Sequence, residues 1–401
     1  MSAMLEGIRV VEVSMWAYVP SAGAVLAEWG ADVIKVEGPD GDPVRGLVTA
    51  GIETSGPQYT WEMWNRGKRA VALDLRQEQA QAILHQMVRD ADVFLTSVLP
   101  GSRPKLGIGL DRIRAVNPGI IYAAGTATGP HGPEAGKSGY DQATFWSRGG
   151  LADAVTPSGA DPLGMPAPAF GDALSGLALA GGVAAALAKK TRTGEGSVVE
   201  GALFATAIWA AQMSVVGTAA AGISEMPRGD RSRPFNPLVN FYPTADGRWV
   251  ALNMMQQDRF WSGLCLAIGR PDLIDDVRFS DTESRVRNIG DCVGELERTF
   301  RSHPLDYWRR QLATQDGTWE ALNKVTDLAV DPQVQANGFI QEVDYGDGHT
   351  LPLVATPIQF DRTPPRLRPA PGYGADNDTV LKSLGWDDDA IIQAKISGSV
   401  I

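Results

Sequence analysis

IRVVEVSMWAYVPSAGAVLAEWGADVIKVE, residues 8–37, changes its hydrophobic period twice. IRVVEV (8–13) is a short β-branched run, PSAGAVLAEW (20–29) spaces its apolar residues as a helix does, and DVIKVE (32–37) returns to a strand pattern. Two strands joined through a helix make a βαβ unit with parallel strands. Working outward, the pattern recurs as RAVALDL (69–75), helical QEQAQAILHQMVRDA (77–91), DVFLTSV (92–98), helical DRIRAVN (111–117) and GIIYAAG (119–125). Such alternation predicts an α/β fold whose large, Rossmann-like domain is a parallel sheet covered on both faces.

A dinucleotide is the first ligand this start suggests, because a glycine-rich first turn lets a pyrophosphate reach the backbone at a helix N-terminus. The turn here, SMWAYVPSAG (14–23), lacks G-x-G-x-x-G, carries the bulky Met15, Trp16 and Tyr18, and has a proline where the helix should begin. The dinucleotide reading therefore falls away although the fold reading stands.

The 401 residues suit two or three domains. Residues 1–217 read as the N-terminal part of the large domain, 218–237 as a linker, 238–330 as a small α+β domain, and 331–401 as a C-terminal segment returning to the large one. Residues 126–171, rich in Gly, Pro, Ser and Ala, read as long irregular loops, which in a compact domain are usually functional. ALSGLALAGGVAAALA (173–188) stops at Lys189-Lys190, short of the ~20 strongly apolar residues of a membrane span. It is expected as a close-packed buried helix. The small domain opens on NFYPTADGRWVAL (240–252), two strands around an Ala-Asp-Gly turn.

A net charge of −11 offers no overall positive field for a nucleic-acid backbone, and none is expected as a partner. Two cysteines make no disulfide framework, and the start MSAMLEGIRVVEV lacks a basic run followed by an apolar core. A cytoplasmic protein without a leader or membrane association is the expectation. Four histidines, none in H-E-x-x-H or beside a cysteine at ligand spacing, predict no metal site. Neither a G-x-S-x-G elbow nor a phosphate loop is present.

Chemistry then points to Asp172, which follows PAPAFG (166–171) and precedes the apolar helix. Its position admits two readings: an ordinary N-cap, or a carboxylate kept ionised by the helix N-terminus and able to attack an acyl carbonyl. Residues 61–150 hold 11 Lys and Arg against 8 Asp and Glu, a local excess suited to a phosphorylated ligand or to solvated loops.

Several strings together resemble the family III CoA-transferases, the group of formyl-CoA, carnitine and 2-hydroxyacyl CoA-transferases that also contains alpha-methylacyl-CoA racemase. They are L-x-G-I-R-V-V-E-V (5–13), L-A-E-W-G-A-D-V-I-K-V-E (26–37), G-D-P-V-R (41–45), N-R-G-K-R-A-V-A-L-D-L (65–75) and P-G-S-R-P-K-L-G-I-G (100–109). N-P-G-I-I-Y (117–122), G-Y-D (139–141), G-D-A-L-S-G (171–176) and T-G-E-G-S-V-V-E (193–200) follow in order. The resemblance implies an interlocked homodimer, coenzyme A and acyl-CoA as substrate without a metal, and a free carboxylic acid as second substrate. It places the covalent aspartate at Asp172. It places CoA contacts at Trp16, Ala17, Leu73, Asp74, Leu75, Arg76, Ser97, Val98, Lys105, Lys137 and Tyr140, with Lys105 and Lys137 suited to neutralise phosphates.

Two further readings are carried beside this one. A racemase would need a second acid/base, for which the related G-H-D motif supplies imidazole; here Tyr140 stands in its place. A CoA-binding scaffold would need no reactive aspartate. The stretch GYDQATFWSRGG (139–150) resembles the 2-hydroxyacyl branch and suggests Phe145 and Trp146 as an apolar acyl pocket.

Overall fold

The computed structural model describes residues 3–49, 51–54, 56–346 and 348–401. Met1 and Ser2 of the opening segment and Asp347 of the C-terminal strand region lie outside these. The chain divides into two compact units: 1–156, 160–226 and 332–401 form the larger, 157–159 and 227–331 the smaller.

The larger unit begins β1 (Arg9–Val13), α1 (Tyr18–Glu28), β2 (Asp32–Glu37), α2 (Tyr59–Asn65), β3 (Arg69–Ala72), α3 (Glu78–Arg89), β4 (Val93–Thr96), α4 (Leu110–Val116) and β5 (Ile121–Thr126). After a π-helical turn at Asp141–Arg148 come α5 (Leu151–Val155), α6 (Phe170–Thr193), β6 (Val198–Ala202), α7 (Leu203–Ala210) and α8 (Gln212–Ala221). The six strands pair in parallel in the order β3-β2-β1-β4-β5-β6, so the chain reverses direction across the sheet between β1 and β4.

Alternation along each strand divides the core. Val11, Val71, Phe94 and Tyr122 point to the face covered by Ile83 and Leu84 of α3. Val10, Val33, Leu95 and Ile121 point to the face where Val19 and Leu26 of α1 meet Leu179 and Val183 of α6. Valines and isoleucines predominate because both faces of these strands are buried, as parallel sheets require. α6 is long and apolar enough to cross a bilayer by length and composition, yet it packs its Leu179–Val183 side against α1 and the sheet.

The smaller unit holds β7 (Val239–Pro243), β8 (Trp249–Asn253), α9 (Gln257–Ala267), α10 (Thr282–Arg287), α11 (Ile289–Phe300), α12 (Leu305–Leu312) and β9 (Trp319–Ala321). Its antiparallel β7-β8-β9 sheet packs with the helices around Tyr242, Trp261, Phe279, Phe300 and Trp308. The chain then re-enters the larger unit as α13 (Pro332–Asn337), the antiparallel pair β10 (Ile340–Asp344) and β11 (Thr350–Val354), α14 (Asn377–Ser383) and α15 (Asp388–Ile396). The end of the chain covers edge strand β3: Asn377 Oδ1 accepts from the Ala72 N–H at 2.9 Å and the Ile401 N–H donates to the Ala72 carbonyl at 3.0 Å. An edge left open would be a template for unwanted pairing.

Two expectations change. The linker read at 218–237 begins inside α8, which runs to Ala221, and the larger unit continues to residue 226; the alanine run there keeps a helix going although its polarity pattern is weak. The loops read over 126–171 also contain the π-helical turn and α5.

Candidate active site

In an open parallel sheet the loops leaving the carboxyl ends of the strands diverge where the order reverses, and the crevice between them is where ligands bind. Here that crevice lies beyond β1 and β4. The turn after β1 is held open by strain: Trp16 has φ of +68°, a left-handed conformation unfavourable for a bulky residue. Two bonds fix it. The Trp16 N–H donates to Asp42 Oδ1 at 3.1 Å and the Met15 N–H to Ser97 Oγ, just past β4, at 3.0 Å.

Asp42 in turn belongs to a charged cluster closed off from solvent. Lys35 Nζ lies 2.9 Å from Asp42 Oδ2 and 3.3 Å from Glu12 Oε1, and it donates to the Ser14 carbonyl at 3.0 Å. Lys68 Nζ meets Glu12 Oε2 at 2.8 Å and Asn65 Oδ1 at 3.0 Å. Glu12, Lys35, Asp42 and Lys68 are all buried and their formal charges cancel. The strings V-V-E, V-I-K, G-D-P and R-G-K thus meet in one network under the turn that presents Trp16.

The loops after β1, β4 and β5 border a cavity of about 280 Å³. Trp16, Ser97, Val98, Lys137, Tyr140 and Asp172 all line it. The indole of Trp16 stands edge-on to the ring of Tyr140, centroids 5.6 Å apart. A second cavity of about 240 Å³ adjoins it, sharing Met15 and Val98, and is lined by Leu73, Asp74, Leu75 and Arg76 beyond β3. Ala17 caps α1 between these walls and is buried. Lys105, exposed on the turn Pro104–Leu106, lines neither cavity, although Leu106 beside it lines the second.

Asp172 is the third residue of α6, and it is not the cap. The buried Asp141 fills that role from the G-Y-D motif, taking the Gly171 N–H at 3.1 and 3.0 Å with its two carboxylate oxygens. Gly171 has to be glycine, because a Cβ there would lie 2.2 Å from the Phe145 ring and 2.4 Å from Asp141 Oδ1. With the N–H taken by Asp141, Asp172 lacks the stabilisation a capping carboxylate enjoys. Burial, and then the charge of Asp141, push it up to about 7. Burial likewise raises Asp141.

Two readings are corrected here. Phe145 and Trp146 form no acyl pocket: both are buried in packing, Trp146 Nε1 donating to the Leu163 carbonyl at 2.8 Å, and the aromatics facing Asp172 are Trp16, Tyr18 and Tyr140. The basic excess of 61–150 is largely spent on ion pairs. Lys68 pairs with Glu12, Arg66 with Glu28 and Arg69 with Asp32, all acids outside that segment. Arg76 is held by Asp74 at 2.7 Å, which draws Asp74 down to about 2, and Lys137 meets Glu134 at 2.8 Å. Asp141 and Asp42 were not legible as site residues; only the G-Y-D string pointed near the first. Among the described residues no group of three or more His, Cys, Asp or Glu is placed to hold a metal ion.

A parallel sheet thus opens at its switch point on Asp172, with two adjoining cavities leading away from it. The model of CoA-transferase family III matches residues 5–377, and the chain belongs to that family. It is 34% identical to (R)-2-hydroxy-4-methylpentanoate CoA-transferase of Clostridioides difficile, over 98% of each chain. It is 28% identical to cinnamoyl-CoA:phenyllactate CoA-transferase of Clostridium sporogenes, over 97% of this chain and 95% of that one. A CaiB/BaiF family protein from Brucella suis, solved by crystallography, superposes with a TM-score of 0.84 at 28% identity, covering 96% of this chain and 100% of that one. The protein is a CoA-transferase whose substrates are CoA thioesters.

Proposed function

We propose that the chain moves CoA from an acyl-CoA to a free carboxylic acid through covalent intermediates on Asp172. The observation that carries this is a carboxylate with no side-chain partner among the described residues, facing the cavity at the switch point, while its neighbour Asp141 does the capping. In its ionised form Asp172 attacks the thioester carbonyl; the C–S bond breaks, CoA leaves as thiolate, and a mixed anhydride remains. The thiolate attacks the aspartyl carbonyl of that anhydride, expelling the donor acid as carboxylate and leaving an aspartyl-CoA thioester. The acceptor carboxylate repeats the sequence in reverse: it displaces thiolate to form a second anhydride, and thiolate then takes the acceptor's acyl group and frees Asp172. The thioester's energy is conserved, because no water enters.

On this reading Trp16, Ser97, Val98, Lys137 and Tyr140 surround the pantetheine end, and Leu73 to Arg76, lining the second cavity, face the nucleotide end. Ala17 and Lys105 are neighbours of these walls, Lys105 on the exposed rim. None of the four histidines lines either cavity, which favours transfer over racemisation. A homodimer is part of the proposal. Trp209, Met213 and Val216 on α7 and α8 are 71%, 84% and 65% exposed, an apolar face that a second copy would cover. Light scattering that finds a monomer at micromolar concentration would remove this part.

Incubation with acyl-CoA and hydroxylamine should leave a hydroxamate at Asp172, found by peptide mass; an unmodified Asp172 peptide after turnover would refute the covalent route. The pH profile gives a second test. Attack needs the carboxylate, so kcat/KM for the acyl-CoA should rise with pH to a midpoint near 7, where Asp172 ionises. Asp141→Asn removes the neighbouring negative charge and should move that midpoint down; a midpoint that stays or rises contradicts the assignment.

A further inference from the structure

The second cavity, of about 240 Å³, opens beyond β1, β2 and β3, at the opposite edge of the sheet from β6 and the α7 that follows it. Its ionisable lining is Glu37, Asp40, Asp42 and Asp74 against a single cation, Arg76. Three of these acids already have a partner. Glu37 takes two hydrogen bonds from Arg45, at 2.8 and 2.7 Å, and Asp42 is paired with the buried Lys35. Asp74 accepts from Arg76 with both oxygens, at 2.7 and 2.9 Å, so the one cation of this lining is neutralised where it stands.

Asp40 is left over. It is exposed on the loop after β2, and among the described residues its carboxylate makes no hydrogen bond or ion pair. The loop around it is held in place: the Tyr373 hydroxyl donates toward the Gly38 and Pro39 carbonyls at 2.9 and 3.1 Å, and Gly41 turns the chain at φ of +70°. A carboxylate just past the second strand of a parallel sheet is suited to accept from a ribose hydroxyl. It repels a phosphate placed at the same ribose, since two like charges a few ångströms apart interact even through water. CoA carries a phosphate on the 3′-oxygen of its adenosine ribose; dephospho-CoA is the same molecule with a hydroxyl there.

We infer that the chain does not select CoA by its 3′-phosphate, that Asp40 is the specificity-determining residue responsible, and that dephospho-CoA is accepted as readily as CoA. The inference rests on the proposed placement of the nucleotide end in the second cavity. There a 3′-phosphate meets the unpartnered Asp40 and an Arg76 already held by Asp74, whereas a ribose hydroxyl finds an acceptor. The pyrophosphate, which both ligands share, is left to cations outside this lining, such as Lys105 on the exposed turn beside Leu106.

Isothermal titration of the unaltered chain with CoA and with dephospho-CoA tests this through the ratio of the two Kd values, in which the shared pyrophosphate cancels. Dephospho-CoA should bind as tightly as CoA or up to about fivefold more tightly at low salt, and the two should converge as salt is added, because screening weakens the repulsion. Asp40→Asn should tighten CoA by roughly two- to fivefold and leave dephospho-CoA unchanged; Asp40→Lys should turn the ratio in favour of CoA on the order of tenfold. Both substitutions fall on an exposed loop side chain that holds nothing else in place. An unaltered chain that binds CoA more than about threefold tighter than dephospho-CoA, with a preference that fades as salt rises, reads the 3′-phosphate with a cation and overturns the inference. A ratio unmoved by Asp40→Lys overturns it as well. Failure of the covalent route looks different, since binding does not pass through Asp172: the hydroxylamine experiment would then find no adduct while these constants stay as they are. Binding of neither ligand would refute the placement of CoA in the two cavities, and the inference with it.

Discussion

Asp172→Asn is expected to abolish CoA transfer and, above neutral pH, to make the folded chain more stable. The amide keeps the size of the side chain and removes the nucleophile. Loss of a covalent nucleophile leaves only binding and orientation, so kcat should fall by on the order of 10³ to 10⁴, about 4 to 5.5 kcal/mol of transition-state stabilisation. The stability change follows from the same environment. In the unfolded chain an aspartate ionises near ~4, whereas folded Asp172 ionises near about 7. Between those values the folded state holds the extra proton, so stability declines as pH rises and the cost is fully present above pH 7. Three pH units correspond to roughly 4 kcal/mol as an upper bound, and water in the cavity reduces this to about 1–2 kcal/mol. Urea midpoints at pH 8 should therefore rise in Asp172→Asn, while at pH 4 the two chains should unfold together. A variant that retains turnover, or that is less stable at pH 8, would contradict the reading of Asp172 as a desolvated nucleophile.

Lys35→Ala is expected to carry the largest stability loss of any single charge removal in the larger unit. Lys35 is fully buried between Glu12 and Asp42, and Lys68 alone cannot neutralise both acids. Removing one partner of a buried ion pair leaves an uncompensated charge, which costs about 3–5 kcal/mol. Arg287→Ala, which breaks the exposed pair with Glu283, should cost less than about 0.5 kcal/mol. The double change Lys35→Met with Asp42→Asn restores neutrality and keeps an acceptor for the Trp16 and Val44 N–H groups. It should recover at least about 2 kcal/mol of the loss in a double-mutant cycle. If Lys35→Ala unfolds at the same denaturant concentration as the unaltered chain, the network contributes nothing and the Trp16 turn must be held another way.

Much of the fold was legible because it is written locally. IRVVEV, DVIKVE, RAVALDL, DVFLTSV and GIIYAAG each became a strand of the parallel sheet within a few residues of the expected ends. The irregular composition of 126–171 hid the π-helical turn and α5, since neither has a clean apolar period. The site was legible in part. Trp16, Ser97, Val98, Lys137, Tyr140 and Asp172 come together at one cavity and Leu73 to Arg76 at the next, although they are scattered over more than 150 positions of sequence. Phe145 and Trp146 were misjudged because an aromatic residue looks the same in sequence whether it faces a ligand or a core.

By itself the sequence determined the α/β class, the parallel strand run, and an aspartate at the start of a long apolar helix, because hydrophobic period and helix boundaries depend on residues a few positions apart. Only the tertiary structure decided that Asp141, 31 residues away, caps that helix, and that burial, with the charge of Asp141 second, pushes Asp172 up to about 7. It likewise decided that Lys68, Arg66 and Arg69 of the basic segment 61–150 pair with the distant acids Glu12, Glu28 and Asp32. Burial and charge pairing are set by which distant segments pack together, and no local pattern carries that information.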